Sequence, residues 1–218
     1  METNKLETDI RLFYEELIHS RKEYLQLFSE LQIQIEGWFR GELMHYFDKH
    51  VHKMTNKNRE VPPCDDITHD EKLPDKEGNE RQKVDLRLKL NDEYYWVELK
   101  HILVGYQIKT PISLGFYFSD NSYIDNDIKK LAHVCHSDNK QHLYSLTFIS
   151  TDYHKEGDKK SRIKKIETPE DLKNKLDDIM THQENLRNDI LMVSWDYEKE
   201  LHFGYILLKV KNNNDKAQ

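Results

Sequence analysis

The chain has 218 residues, of which 37% are hydrophobic and 33% are charged, and its formal net charge is −7 at pH 7. This length is sufficient for one sizeable domain, and the periodic grouping of the apolar residues predicts a folded protein rather than a disordered one. The acidic excess disfavours nonspecific nucleic-acid binding through a broad basic surface, so any phosphate contacts must come from a local patch.

Membrane and secretory features are lacking in the sequence. No apolar run approaches the roughly 20 residues of a membrane helix, and the N-terminus lacks a signal-peptide pattern. The two cysteines, Cys64 and Cys135, lie in dissimilar contexts and predict no disulfide framework. A cytoplasmic location is therefore expected.

Residues 8–51 carry a long helical pattern, with apolar positions mostly three and four apart. A break near Ser29-Glu30 would give two helices, and we assign residues 1–52 to an N-terminal helical segment that packs on the core or leads into it. The amphipathic first helix, Ile10 to Phe28, could pair with a second copy, which would make a homodimer, or with a partner protein.

Glu42 interrupts the apolar face of the second predicted helix. A carboxylate directed at a core is costly unless it is paired or bound to metal. Three interpretations stay open for it: a buried salt bridge, an apolar stripe that rotates away after Gly41, and a metal-site role.

A core of residues 53–211 should follow, and residues 212–218 form a polar tail. The segment from Val51 to Gln82 holds several prolines and dense charge, with little periodicity. The first core strand should lie within 53–82, and Arg59 to His69 is the best candidate.

Lys83 to Lys100 predicts a β-hairpin. The first arm alternates, with Val84, Leu86, Leu88 and Leu90 on one face and Asp85 on the other, which is typical of a strand. With Asn91-Asp92 as a two-residue turn, opposite residues have numbers that sum to 183. Asp85 then lies across from Glu98, with Cβ atoms roughly 4.5–5.5 Å apart.

Two carboxylates at that separation repel each other unless a cation lies between them. Mg²⁺ or Mn²⁺ would suit, because hard ions prefer oxygen ligands. Lys100 lies two residues beyond Glu98 on the same face. The alternative to a metal site is an edge hairpin whose polar face is simply solvated.

The sequence Asp85, then Glu98-Leu99-Lys100 on the next strand, resembles the motif of the PD-(D/E)xK nuclease superfamily, although Val84 stands where the family has Pro. The resemblance implies an α/β (α+β) fold with a restriction-endonuclease-like core, in which helices flank a central mixed β-sheet. It also implies that Asp85, Glu98 and the Leu99 carbonyl hold the metal, that Lys100 assists the attacking water, and that Glu42 contributes directly or through water.

Later elements are predicted from simpler signals. Ile112 to Phe118 resembles a strand, Ser122 to Asp125 a helix N-cap, Leu143 to Ile149 a buried strand, and Thr168-Pro169 a helix start. Ile190 to Trp195 and Leu201 to Val210 predict a closing hairpin.

The run from Lys155 to Lys165 is the clear cationic patch of the sequence. Its residues Lys159, Lys160, Arg162 and Lys164 could grip a phosphate backbone, and a solvated loop is the alternative. His133 and His136 could share a helix face, but no second pair has zinc-ligand spacing.

The sequence thus predicts a Mg²⁺-dependent (or Mn²⁺-dependent) nuclease, with DNA favoured over RNA as substrate. The competing hypothesis is a module with the same fold that binds or assembles without cutting.

Overall fold

In the computed structural model, the structure describes residues 5–31, 33–55, 66–72, 83–90, 92–104, 114–117, 119, 121–132, 141–151, 186–198 and 201–210. The elements in chain order are α1 (Lys5–Leu31), α2 (Glu36–Thr55), β1 (Asp66–Lys72), β2 (Lys83–Leu90), β3 (Glu93–Val104), α3 (Leu114–Tyr117), α4 (Tyr123–Ala132), β4 (Gln141–Thr151), β5 (Leu186–Glu198) and β6 (Leu201–Val210).

The strands form a mixed sheet in the order β1-β2-β3-β4-β6-β5. The pair β3–β4 is parallel, and the other neighbours are antiparallel. Among the residues whose burial the structure describes, the buried side chains of the sheet come from β2, β3, β4 and β6. The architecture is therefore mixed α+β, with helices on both faces of a mixed sheet.

Helices α1 and α2 cover one face of the sheet. Their apolar stripes bury Ile10, Phe13, Leu43 and Phe47 against the inward side chains of the strands. Phe39 of α2 stacks on Phe148 of β4 with ring centroids 3.6 Å apart. The two predicted helical regions are present, with a break after Leu31, and α1 is itself kinked at Arg21, whose φ of −125° and ψ of 17° are not helical.

Helix α4 covers the opposite face through Ile124, Ile128 and Leu131. Its start is capped as the sequence predicts. The Asp125 N–H donates to Ser122 Oγ at 3.2 Å, and the Asn121 N–H donates to Asp125 Oδ2 at 2.7 Å. These bonds satisfy amides that a helix start otherwise leaves open.

The predicted strand at Leu143 to Ile149 and the predicted closing hairpin are also confirmed, since β4 spans the first and β5 pairs with β6 from Glu198–Leu201 onward. The strand predicted at Ile112 to Phe118 is wrong, because residues 114–117 form the short helix α3. One contact of this turn comes from outside the local sequence, because the Tyr117 hydroxyl donates to the Leu103 carbonyl of β3 at 2.9 Å. A local bond, from Ser119 Oγ to the Phe116 carbonyl at 2.8 Å, follows the turn.

The first strand, β1, overlaps only the end of its predicted position at Arg59 to His69. Both cysteines, His133 and His136, the predicted helix after Thr168, the basic run from Lys155 to Lys165 and the tail 212–218 lie outside the described residues. None of the helices in the described ranges is long and apolar enough to cross a membrane.

Candidate active site

The β2–β3 hairpin has the register that the sequence predicts. Its pairs run from Leu90–Glu93 to Leu86–Val97, so paired numbers sum to 183. Asp92 in the turn has φ 63°, a left-handed conformation that Asp tolerates better than most residues. The ladder ends at Leu86–Val97, so Asp85 and Glu98 lie just beyond it and are not themselves a ladder pair.

Asp85 lies between two buried residues of β2, Val84 and Leu86. Val84 belongs to the core under α4, whereas Leu86, Leu88 and Leu90 belong to the core under α1 and α2. Buried and half-buried residues alternate along β2 from Val84 to Leu90, as the sequence predicts, although Val84 is grouped with the core under α4.

The carboxylate of Asp85 is held by two donors. The Leu99 N–H donates to Oδ2 at 2.8 Å, so this side chain bonds to the backbone of β3 where the ladder has ended. Arg40 of α2 donates from Nη1 to Oδ1 at 3.3 Å. Asp85 is thus fixed between β2 and β3, with a guanidinium beside it.

Glu98 is the most buried carboxylate near Asp85, with 5% of the residue exposed. Lys130 of α4 donates from Nζ to its Oε1 at 2.5 Å. The other oxygen, Oε2, is buried and has no hydrogen-bond partner among the described residues. Burial, and then the charge of Asp85, raises the pKa of Glu98 to about 7, although Lys130 opposes the rise.

Lys100 lies between two helices. Its Nζ is 3.2 Å from Asp127 Oδ2 on α4 and 3.8 Å from Glu36 Oε2 on α2. Burial acts to lower the pKa of Lys100, but the carboxylates of Asp127 and Glu36 outweigh it, so the pKa is raised. Lys100 is therefore held as an ammonium.

Burial also raises the pKa values of Glu36 and Asp127, against the opposing effect of Lys100. The charge of Asp85 contributes to the rise at both residues and at Glu98. We call these four acids, Glu36, Asp85, Glu98 and Asp127, the carboxylate cluster.

His101 fixes the start of α2 over this cluster. Its Nδ1 accepts from the Ile35 N–H at 3.2 Å, so the ring proton is on Nε2, which lies 2.8 Å from Ser150 Oγ. Burial lowers the pKa of His101 to about 4, so the ring is neutral at physiological pH. Glu36 follows Ile35 directly and is placed by this tether.

The structure brings three of the predicted site residues together, namely Asp85, Glu98 and Lys100. Leu99 contributes its N–H to Asp85, and the ligand role of its carbonyl stays a prediction. Glu42 is placed elsewhere. It pairs with Arg21 of α1 at 3.0 Å and lines a polar pocket between α1 and α2. The salt-bridge interpretation of Glu42 fits this position.

Sequence reasoning missed the four helical residues of the site: Glu36, Arg40, Asp127 and Lys130. Asp127 and Lys130 lie three residues apart on α4, beside its buried stripe. The sequence does show this pair of opposite charges beside an apolar stripe. However, no local feature of the sequence indicates that the pair lies against β3.

Oxygen donors and a partnerless buried oxygen fit a hard divalent cation. The geometry is incomplete as it stands, because no three acidic, histidine or cysteine side chains in the described ranges are grouped so as to hold a metal ion. A cation at Asp85 and Glu98 would therefore draw further oxygen ligands from the backbone or from water.

The sequence matches no protein-family model, and neither curated proteins nor solved structures show a significant similarity to it. Function must accordingly be argued from the carboxylate cluster itself.

Proposed function

We propose that the chain is a metal-dependent phosphodiester hydrolase of the PD-(D/E)xK type, with DNA as its substrate. One observation carries the proposal. The buried Oε2 of Glu98 has no hydrogen-bond partner within the described structure. Glu98 also lies close enough to Asp85 for the charge of Asp85 to raise the pKa of Glu98. A lysine two residues further along β3 completes the arrangement.

Asp85 and Glu98 would hold Mg²⁺ or Mn²⁺, together with the Leu99 carbonyl. When bound, such an ion neutralises charge on a phosphoryl group and lowers the pKa of a coordinated water.

The charge balance of the site supports a requirement for a cation. Four carboxylates (Glu36, Asp85, Glu98 and Asp127) face three cationic side chains (Arg40, Lys100 and Lys130), which leaves a formal charge of −1 when all are ionised. A phosphodiester, itself an anion, would be repelled by this site. A divalent ion reverses the sign and makes binding of the phosphate favourable.

Lys100 is the group of this chain best placed to act on the substrate. Its side chain is 22% exposed, and its two carboxylate partners limit where the ammonium can point. It would donate a hydrogen bond to the phosphoryl oxygen on which charge develops, or orient the attacking water. The basic residues Lys159, Lys160, Arg162 and Lys164 are proposed to contact the nucleic-acid backbone.

A second candidate function is a binding or assembly module that keeps the same fold and does not cut. The observation that favours it is that each central carboxylate already has a cationic partner, Arg40 for Asp85 and Lys130 for Glu98. In that case the cluster would be a network of ion pairs between the helices and the sheet.

Calorimetric titration with Mn²⁺ at pH 8 separates the two candidates. A nuclease should bind the ion, and Asp85→Asn and Glu98→Gln should each weaken binding by at least tenfold. Asp92→Asn is the matched control, because Asp92 lies in the exposed hairpin turn and Asn tolerates its positive φ. Absence of Mn²⁺ binding to the unmodified protein would favour the non-cutting module.

Cleavage assays then identify the substrate. Duplex DNA, single-stranded DNA and RNA should be incubated with Mg²⁺ and with EDTA. We expect Mg²⁺-dependent cleavage of DNA, lost in Glu98→Gln and Lys100→Met and retained in Asp92→Asn. Cleavage of RNA alone would support the proposed hydrolysis but show that RNA is the substrate. Undiminished cleavage by Glu98→Gln would refute the proposed mechanism.

A further inference from the structure

Helix α4 meets strand β3 through two ion pairs of opposite sense. Lys130 of α4 pairs with Glu98, and Asp127 of α4 pairs with Lys100. Residues two apart on a strand lie on the same face, and residues three apart on a helix are neighbours on its surface. The spacing on α4 therefore matches the spacing on β3, with each charge opposite its complement.

The Asp127–Lys100 pair is better protected from water than an ordinary surface pair. The Asp127 side chain is 15% exposed and that of Lys100 is 22% exposed. Glu36 also approaches Lys100, but its distance of 3.8 Å is longer and its side chain is 40% exposed. Asp127 is therefore the nearer of the two carboxylates, and it pairs with the ammonium by charge rather than through an aligned hydrogen bond.

Fixing this ammonium has a mechanistic value. A lysine side chain has four rotatable bonds, and its conformational freedom opposes any single placement of Nζ. A further carboxylate, Glu98, lies near enough for its charge to contribute to the raised pKa of Lys100. An anchor on α4 keeps the ammonium near Glu98 without pairing the two.

We propose that Asp127 is the positioning residue for Lys100 in the hydrolysis proposed above, on which this inference rests. Asp127 does not touch the substrate. It places the ammonium next to the site at Asp85 and Glu98, and it leaves their oxygens available to a cation. Because α4 also supplies Lys130 to Glu98, this helix contributes the partners of both functional groups on β3.

The kinetic test compares Asp127→Asn with the unmodified protein and with Asp127→Glu. Asn keeps the size of the side chain and removes its charge. We expect kcat to fall at least tenfold with KM within twofold, since displacement of a reacting group by about 1 Å can cost on the order of a hundredfold. Asp127→Glu, which keeps the charge, should recover part of the loss. Mn²⁺ affinity should stay within fivefold of the unmodified protein.

A second readout needs neither metal nor activity. The order parameter of the Lys100 ammonium, from ¹⁵N relaxation in metal-free protein, should fall in Asp127→Asn and be retained in Asp127→Glu and in the Asp92→Asn control. The thermal unfolding midpoint of each variant shows whether it is folded.

The outcomes are distinct. If the unmodified protein neither binds Mn²⁺ nor cleaves, the proposed function fails. If it cleaves, and Asp127→Asn has unchanged kcat or an equally ordered ammonium, the positioning role is refuted. Loss of Mn²⁺ binding in Asp127→Asn would also refute it, because Asp127 would then be acting on the metal.

Discussion

Replacing Glu98 with Gln should remove the pH dependence that this buried carboxyl gives to stability. In the folded protein the pKa of Glu98 is about 7, against an ordinary value of 4.5. Folding therefore favours the protonated form, and between these two pH values the native state binds more protons than the unfolded state. The shifted pKa of Glu98 does not lower the free energy of unfolding below pH 4.5. It lowers this free energy progressively as pH rises, and by the full amount above pH 7.

The size of this cost follows from the same shift. A rise from 4.5 to about 7, at roughly 1.36 kcal/mol per pH unit, corresponds to about 3 kcal/mol. The side chain is only 7% exposed, so solvent screening reduces the figure little. Relative to Glu98→Gln, the unmodified protein should lose about 3 kcal/mol of unfolding free energy between pH 4.5 and pH 8.

The assay is urea denaturation in EDTA at both pH values, followed by circular dichroism. Glu23→Gln is the matched control, because it makes the same replacement at an exposed position on α1. A difference between the unmodified protein and Glu98→Gln that is flat, or that grows in favour of the unmodified protein with rising pH, would refute the reasoning.

Two further predictions concern the neighbours of Glu98. His101→Asn should remove a contribution to the free energy of unfolding that is lost in acid. Burial lowers the pKa of His101 from 6.5 to about 4, which corresponds to roughly 3 kcal/mol. This stability is present above pH 6.5 and lost as pH falls towards 4. Denaturation curves of both proteins at pH 4 and pH 7 check this, and parallel losses on acidification would contradict it. Lys130→Met should cost roughly 2–3 kcal/mol at pH 8, where Glu98 is ionised and loses its partner, and less at pH 5, where Glu98 is protonated. The same denaturation assay measures it, and an equal loss at both pH values would show that the ion pair is not the cause.

The local parts of the fold were predictable from the sequence. The alternation of Leu86, Leu88 and Leu90 with charged residues sets the face of β2, and the two-residue turn then sets the pairing with β3. The cap at Ser122 was equally readable, because its partner lies three residues away. Such features depend on neighbours in the sequence.

The rest depends on contacts between distant parts of the chain. Arg40 is 45 residues from Asp85, and Lys130 is 32 residues from Glu98, so only the sheet order brings them together. Glu42 is a second example of a residue whose partner the sequence does not identify. Its position on the apolar stripe predicted an inward carboxylate, but its partner, Arg21, comes from α1. The residues of β2 and β3 in the candidate site were therefore predictable, whereas those of α2 and α4 were not.

The parallel pairing of β3 with β4 affects how the molecule folds. Hairpin partners such as Leu90 and Glu93 are near neighbours, but Tyr94 pairs with Gln141, 47 positions later. Closing the longer loop costs more chain entropy, so the two hairpins should form first and the crossover that carries α4 should dock late. Glu98 is then desolvated only after the rate-limiting barrier. In metal-free protein at pH 8, Glu98→Gln should accordingly slow unfolding and leave the refolding rate almost unchanged, and stopped-flow kinetics that showed faster refolding instead would place α4 in the folding nucleus.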